Sequence, residues 1–218
     1  MPYEFDWSAA LGFKVWASAL AITLSYAVVT IAGGLLIGVF VGVAMVSGRG
    51  WLRAPASGYV QLFRCTPLMV QIVWFYYALP IIAGFSIPAW IAGGLGLTLY
   101  MGAFCAEIFR AGVISIDKGQ WNAARALGIS QRRLMSHIIL PQAARRMVPP
   151  FVNQSVLQLK NTSLLYVVAV PDLMYKSYEI ASSTFRPLET YTVVALIYFV
   201  ILYPLTKLAK QLEVRADR

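Results

Sequence analysis

The feature that most constrains this chain is the length of its uncharged segments. No Asp, Glu, Lys or Arg occurs at the 34 positions from 15 to 48 or at the 42 positions from 65 to 106. A membrane-spanning helix needs about 20 apolar residues, so each segment is long enough to cross a bilayer. The whole chain is 59% hydrophobic and only 12% charged, which is more apolar than soluble domains are. The sequence therefore predicts an all-α integral membrane protein.

Five segments have the length and apolar character of a membrane span. The longer uncharged segment is too long for one helix, and Pro80, Gly84 and Pro88 favour a break in its middle. The Gly-rich stretch AGGLLIGVFVG in the first span is typical of close packing between helices. The predicted spans cover about residues 16–46, 60–82, 88–109, 151–170 and 190–208 of a single domain, residues 1–218.

The distribution of Lys and Arg predicts how the chain is oriented. Five spans place the termini on opposite sides, and an outside N-terminus puts most basic residues inside, as the positive-inside rule requires. Only Lys14, Lys176 and Arg186 then remain outside. The C-terminus and a loop of about residues 115–149 are therefore predicted to be cytoplasmic. This pattern accounts for the net charge of +9 without a nucleic-acid partner.

Polar side chains run through the fourth predicted span. Lys160 and Asn161 lie at its centre, where a charged residue costs on the order of 3 kcal/mol unless it faces other helices or a wet cavity. Four polar positions repeat at intervals of three and four residues and therefore share one helix face. They are Gln154, Gln158, Asn161 and Thr162. This face fits either a path for a solute or hydrogen bonds between helices. Gln71, alone near the middle of the second span, favours the path.

Two further features flank these polar positions. Thr66 and Pro67 follow Arg64 and either begin a helix or bend it toward a pore. Glu107 and Arg110 have the spacing of a helix-face ion pair, which is a structural contact or an element of a gate. The residues predicted to line a substrate path are Thr66, Gln71, Gln158, Lys160, Asn161, Thr162 and Ser163.

The predicted cytoplasmic loop contains a short helix. In QWNAARALG, Ala123, Ala124 and Leu127 form an apolar side, and Gly128 follows as the residue that ends the helix. Ser130 can then cap a second short helix, QRRLMSHIIL, which is predicted to stop at the proline that follows. Alanine side chains bury little area in lipid, which favours docking into a protein groove over a helix lying on the membrane surface.

This loop resembles the signature of the permease subunits of ABC importers. The signature has two alanines, a glycine four residues after the second, and Ile-x-Leu-Pro ten residues past that glycine. In this chain these positions are Ala123, Ala124, Gly128, Ile138, Leu140 and Pro141. The segments FRCTPLMVQIVWFYYALP, AEIFRAGVISIDKGQWNAARALGIS, ILPQAARRMVPPFVNQ and LKNTSLLYVVAVPDL extend the resemblance over most of the chain. They are similar to the polar-amino-acid branch, which imports histidine, glutamine, glutamate, aspartate or arginine.

The resemblance implies a type I permease fold with five spans and a cytoplasmic coupling helix. It also implies a second permease subunit, the same chain or a paralogue, and two cytoplasmic ATPase subunits that hold the ATP and Mg²⁺. A periplasmic or surface-tethered binding protein would deliver the amino acid. The chain itself would be a non-catalytic, pore-forming subunit surrounded by lipid in a bacterial inner membrane. The residues implied to couple it to the ATPase are Trp121, Asn122, Ala123, Ala124, Leu127 and Gly128.

Two positions depart from the family pattern. Asn122 stands where the signature commonly begins with Glu, so a neutral hydrogen bond would replace a salt bridge to the ATPase. Asn161 stands where members often carry Asp after the Lys of the fourth span. A cationic substrate would lose its natural partner without that carboxylate. The resemblance therefore favours glutamate, aspartate, glutamine or a broad range of substrates.

Two other classes of function compete with an importer subunit. A self-sufficient secondary transporter or channel is disfavoured because the short chain has no internal inverted repeats. A membrane-embedded enzyme is disfavoured because His137 is the only histidine and no carboxylates cluster within a span. Cys65 and Cys105 are predicted to be small core residues. The sequence carries no phosphate-binding loop, and it predicts no catalytic residue, no metal site and no cofactor held by this chain.

Overall fold

The structure is a computed structural model that describes residues 4–8 and 12–216. All regular structure within these residues is helical, which agrees with the predicted fold class. The helices are α1 (Phe13–Val46), α2 (Gly50–Cys65), α3 (Leu68–Ala83), α4 (Ala89–Ile114), α5 (Lys118–Ala126), α6 (131–161), α7 (Leu173–Thr184) and α8 (Pro187–Ala216). A 3₁₀ segment, Thr162–Val168, joins α6 to the turn before α7.

Among the described residues, α1, α4 and α8 are long and apolar enough to cross a membrane, and the bent pair of α2 and α3 could make a fourth crossing. The prediction of one continuous helix over 60–82 is wrong, because the axes of α2 and α3 meet at 105°. The break lies at Thr66 and Pro67, which are both extended. Proline forces this change because it disfavours the helical conformation of the residue before it. Pro67 thus precedes a new helix and also marks the bend.

The loop predicted to be cytoplasmic does not end where the sequence indicated. The prediction that its second helix stops at Pro141 is wrong, because α6 continues through that residue to Asn161. A π-helical turn, Leu134–Ile139, lies just before the proline, and its wider backbone accommodates the missing N–H. The predicted loop and the fourth predicted span therefore share one helix. The prediction of a regular helix over 151–170 is wrong beyond Asn161, where the backbone tightens to a 3₁₀ segment.

The most extensive helix packing in the described chain joins α1 to α4. A Cβ atom added to Gly38 would lie only 2.2 Å from the Cβ of Cys105 and 3.0 Å from its backbone carbonyl carbon. A Cβ on Gly34 would lie 2.3 Å from the Cγ of Met101. The close packing predicted for the Gly-rich stretch is confirmed. Cys105 is buried in this contact, as predicted, whereas Cys65 at the end of α2 is exposed, so its assignment to the core is wrong.

Candidate functional site: a polar helix face and a docking helix

Gln158 lies at the centre of the helix bundle and is fully buried. Its side-chain nitrogen donates to the hydroxyl oxygen of Thr30 in α1, at 3.1 Å, and to the carbonyl oxygen of Leu97 in α4, at 2.9 Å. Gln154 and Thr162 are also buried, one turn before and one turn after Gln158 on the same side of the chain. The side of α6 and of the following 3₁₀ segment that carries these three residues therefore packs against other helices, which is the interhelical alternative for this face.

The other polar residues of this stretch lie elsewhere. Lys160 is exposed, and Asn161 and Ser163 are partly exposed. The hydroxyl of Ser163 donates to the carbonyl of Lys160 at 2.8 Å. The structure thus divides the residues predicted for one path into a buried set and an accessible set. The accessible set is Lys160, Asn161 and Ser163.

Gln71 does not lie in the middle of a span, as the sequence indicated, but in the first turn of α3. Its side-chain nitrogen donates to the carbonyl oxygens of Phe63, at 2.9 Å, and Thr66, at 3.0 Å, and to the Thr66 hydroxyl at 2.8 Å. Phe63 lies in the last turn of α2 and Thr66 directly follows the helix, so no helical donor remains for either carbonyl. Gln71 and Thr66 therefore hold the bend between α2 and α3, and both line a small apolar cavity of about 270 Å³.

A charged cluster joins α2 to α4 close to that bend. Arg110 contacts Glu107 with two side-chain nitrogens, at 2.5 and 3.0 Å, which confirms the predicted helix-face pair. Arg64 approaches the same carboxylate at 3.7 Å. Arg53 and these three residues line a cavity of about 290 Å³. The sequence did not indicate that α2 contributes to this pair, because the bend that brings Arg64 beside α4 is a tertiary feature.

The short helix α5 is capped at both ends. The carboxylate of Asp117 accepts from the backbone N–H of Gly119 at 2.6 Å at its start. At its end, the backbone N–H of Gly128 donates to the carbonyl oxygen of Arg125, and the N–H of Ile129 donates to the carbonyl oxygen of Ala124, each at 3.0 Å. Gly128 has a φ of 69°, the left-handed conformation typical of a glycine that ends a helix, as the sequence predicted it to do. These caps allow a helix of nine residues to keep its shape at the protein surface.

The residues of α5 that the sequence grouped on one apolar side face different ways. Ala124 is buried in a cluster that includes Ile116, Leu134 and Ile139. Ala123 is exposed, and Leu127 has 78% of its surface exposed. The prediction of a shared apolar side is therefore wrong, because adjacent residues of a helix point about 100° apart. Of the other predicted coupling residues, Asn122 is exposed and Trp121 packs partly against the cluster. Of the predicted coupling residues, Asn122, Ala123, Leu127 and Gly128 therefore face outward.

Asp172, which the sequence analysis did not single out, is a fully buried carboxylate beyond the fourth predicted span. One of its oxygens accepts from the N–H of Tyr175 at 2.8 Å and caps α7. Within the described residues, its other oxygen and the hydroxyl of Tyr198 are buried without a hydrogen-bond partner. Burial raises the pKa of Asp172 to about 7. An Asp before a helix signals a cap, but its burial could not be read from the sequence.

The chain matches the family described as binding-protein-dependent transport system inner membrane component over residues 34–218. It is 38% identical over 206 residues to a probable glutamine ABC transporter permease of Bacillus subtilis (strain 168), which covers 94% of this chain and 95% of the relative. It is 37% identical over 215 residues to the glutamine transport system permease of Escherichia coli (strain K12), with coverages of 97% and 98%. An arginine transport system permease of Bacillus subtilis (strain 168) is 35% identical over 89% of each chain.

Solved structures agree with these relatives. A crystal structure of an amino acid ABC transporter with histidines superposes with a TM-score of 0.91 and 32% identity, covering 98% of this chain and 100% of that one. An inward-facing methionine ABC transporter has a TM-score of 0.76 over 94% of this chain and 98% of that one. Its identity of 21% supports a shared fold alone.

Proposed function

Since the chain belongs to the family of binding-protein-dependent transport system inner membrane components, we propose that it is the pore-forming subunit of an ATP-driven importer for polar amino acids. The family and the type I permease fold confirm the predicted resemblance. The number of membrane spans stays a prediction. The family is that of a transport subunit in the inner membrane, and the chain has no phosphate-binding loop of its own.

The geometry of α5 is the observation that carries the proposal. A short helix with caps at both ends presents Asn122, Ala123 and Leu127 outward, while Ala124 anchors it in the apolar cluster. Small side chains let another protein approach the helix backbone closely, and Leu127 offers an apolar anchor of the kind that fits a groove. A force applied to this face would reach α4 and α6 through the cluster, because both helices contribute to it.

The partners follow from this assignment. Two cytoplasmic ATPase subunits, which hold ATP and Mg²⁺, would dock on the outward face of α5. A second permease subunit, this chain or a paralogue, would complete the pore, and a periplasmic or surface-tethered binding protein would deliver the amino acid. Asn122 would contribute a neutral hydrogen bond at the ATPase contact. The proposed orientation has the N-terminus outside and the C-terminus in the cytoplasm, because that arrangement places most of the Lys and Arg inside.

The proposed substrates are glutamine, glutamate and aspartate, or a broader set of polar amino acids. Relatives with 37% and 38% identity are named as glutamine permeases, and one with 35% identity is named for arginine. Lys160 and Asn161 are accessible in α6 and offer a cation and a neutral amide, without a carboxylate that would pair with a cationic side chain. Ser163 adds a hydroxyl to the same accessible set.

Reconstitution of the complex in proteoliposomes tests the proposal. Proteoliposomes that contain the permease, its ATPase subunits and its binding protein are expected to take up labelled glutamine or glutamate only under one condition. ATP must be present on the side of the membrane that carries the ATPase subunits. Uptake by the permease alone, driven by an ion gradient, would instead assign it to the self-sufficient secondary transporters. For orientation, a reporter fused after residue 218 is expected to be active in the cytoplasm, and activity confined to the periplasm would contradict the orientation.

A further inference from the structure

The cavity between α1, α2 and α4 contains more positive than negative charge. Arg53, Arg64 and Arg110 line it together with a single carboxylate, that of Glu107. Arg110 contacts both oxygens of Glu107, and Arg64 lies 3.7 Å from one of them. One carboxylate balances only one guanidinium group. The cavity, of about 290 Å³, therefore keeps an excess of positive charge that no residue lining it compensates.

Arg53 is the arginine of this cavity that has no protein partner. In the part of the chain that the structure describes, its guanidinium makes no hydrogen bond or ion pair with another residue. The side chains of Arg64 and Arg110 are 40% and 36% exposed, so they are open to a ligand as well. A guanidinium group has five N–H donors, and Glu107 uses only some of those that Arg64 and Arg110 offer. Donors for an additional anion are therefore present.

The helix α2 combines this basic side with an exposed apolar side. The polar positions that line the cavity recur at intervals of three and four residues and share one side of the helix. They are Arg53, Ser57, Gln61 and Arg64. On the side that faces away from the protein, Trp51 and Leu62 are 71% and 61% exposed. A charged headgroup with hydrocarbon chains fits both sides, whereas a soluble anion fits only the cavity.

The cavity lies at the depth of lipid headgroups. Met45, which lines it, is the second-last residue of α1, and Arg110 lies four residues before the end of α4. At a rise of 1.5 Å per residue, Arg110 is about 6 Å from that end. The 26 residues of α4 extend for about 39 Å, close to the thickness of a bilayer with its headgroups. Trp51, at the start of α2, is of a residue type enriched at this depth.

We propose that this cavity binds the phosphate of an anionic phospholipid, whose acyl chains lie along the exposed apolar side of α2. The phosphate oxygens accept hydrogen bonds from Arg53 and Arg64, because the planar guanidinium group matches the geometry of a phosphate. Basic pockets between membrane helices bind anionic headgroups in this manner. The site rests on the proposed function in one respect. The helix α5 marks the cytoplasmic side, so the lipid belongs to the cytoplasmic leaflet.

Lipid binding by the purified complex of the permease and its ATPase subunits tests the site. After native lipid has been removed, dioleoyl phosphatidylglycerol is compared with dioleoyl phosphatidylcholine by native mass spectrometry. The acyl chains are the same, but the choline group offsets the charge of the phosphate. We expect phosphatidylglycerol to bind about tenfold more tightly, a difference typical of one hydrogen bond to a charged group. Equal affinities for the two lipids would overturn the proposal.

Two substitutions of arginine separate the cavity from the general basic charge of α2. Arg53→Gln is expected to weaken phosphatidylglycerol binding about tenfold and to leave the unfolding temperature unchanged, because its guanidinium has no protein partner. Arg49→Gln is the matched control, since Arg49 is exposed at the same end of α2 but does not line the cavity. Unchanged affinity in Arg53→Gln, or an equal loss in Arg49→Gln, would overturn the site.

A third variant distinguishes an anion site from a purely structural ion cluster. Glu107→Gln removes the carboxylate that competes for Arg64 and Arg110, so phosphatidylglycerol is expected to bind several-fold more tightly. Weaker binding in Glu107→Gln, at an unchanged unfolding temperature, would contradict the proposal.

Inorganic phosphate distinguishes a lipid from a soluble anion. Phosphatidylglycerol is expected to stay bound in millimolar inorganic phosphate, because its acyl chains add contacts along α2. Its displacement would instead assign the cavity to a soluble anion. These measurements need neither ATP nor an amino acid, so the lipid site can fail while ATP-driven uptake succeeds, and the reverse.

Discussion

The side-chain nitrogen of Gln158 lies 3.1 Å from the hydroxyl oxygen of Thr30, and this bond joins α6 to α1 inside the protein. Thr30 also donates to the carbonyl of Tyr26 at 2.7 Å, so its hydroxyl is held even without Gln158. The polar face of α6 thus contributes to the packing of the membrane helices. The substitution Gln158→Leu tests this role directly.

We expect Gln158→Leu to lower the free energy of unfolding by about 1 kcal/mol, a typical cost for an interhelical hydrogen bond in a membrane protein. The carbonyl of Leu97 loses its donor, while the ranking of substrates stays the same. Thermal unfolding in detergent and competition uptake measure the two effects. Lys160→Leu, at an exposed position of the same helix, is the matched control for stability. A changed substrate ranking in Gln158→Leu would indicate instead that Gln158 lines the substrate path.

The left-handed conformation of Gly128 makes its substitution costly. A Cβ atom at Gly128 would meet no other atom within 4 Å, so the cost comes from the backbone alone and is about 1 kcal/mol. Gly128→Ala is expected to misplace the end of α5 and to reduce ATP-driven uptake while the protein still inserts, and Gly128→Trp is expected to abolish it. Gly58→Ala, at an open helical position without the unusual φ, is the control. Normal ATPase stimulation and uptake in Gly128→Trp would contradict docking at α5.

Asn161 is the position at which we expect substrate preference to change. Asn161→Asp adds a carboxylate to the accessible set of α6. A charge pair from which water is largely excluded can shift selectivity between substrates by about 1 kcal/mol or more, roughly fivefold. The expected result is a shift toward arginine and away from glutamate in competition uptake. Gln154→Glu, on the buried side of the helix, is expected to destabilise the protein without that shift. An unchanged ranking with normal expression of Asn161→Asp would mean that Asn161 does not line the substrate path.

The burial of Asp172 predicts a stability that depends on pH. Its pKa is raised from 3.8 to about 7 in the folded protein, so the folded state binds a proton that the unfolded state releases. The contribution of this group to stability is therefore full below about pH 4, falls as the pH rises, and is lost above about pH 7. Asp172→Asn keeps a good helix cap and is expected to remove this dependence. Equal slopes of unfolding temperature against pH in the two proteins would contradict the prediction.

The sequence was most informative where local chemistry decides the structure. The long uncharged segments predicted the membrane helices, and Gly128 predicted the end of α5, because the conformational freedom of glycine is a local property. The break at Thr66 and Pro67 was visible as an alternative for the same reason. The continuation of α6 through Pro141 was not, because a neighbouring π-helical turn absorbs the proline.

The candidate site was predicted less completely, since spacing along a helix does not tell which side meets protein. Gln158 and Lys160 both lie in polar sequence, yet one is fully buried and the other exposed. Likewise, Ala123 and Ala124 are identical in sequence terms and face opposite environments. Only the packing of α5 on the cluster around Leu134 separates them. Asp172 is buried by helices that are distant in sequence, so its pKa is a tertiary property.

The close contact between α1 and α4 also limits how this sequence can vary. At Gly34, Gly38 and Gly42, a side chain as small as a methyl group would meet an atom of α4 at less than 3.0 Å. Exposed apolar positions of the same helix, such as Val28 and Phe40, carry no such restriction. In a library of all single substitutions, α1 is therefore expected to show two alternating sets of positions. One set would reject even alanine, and the other would accept nearly any apolar residue, so the pattern of tolerance would trace the face of α1 that meets α4.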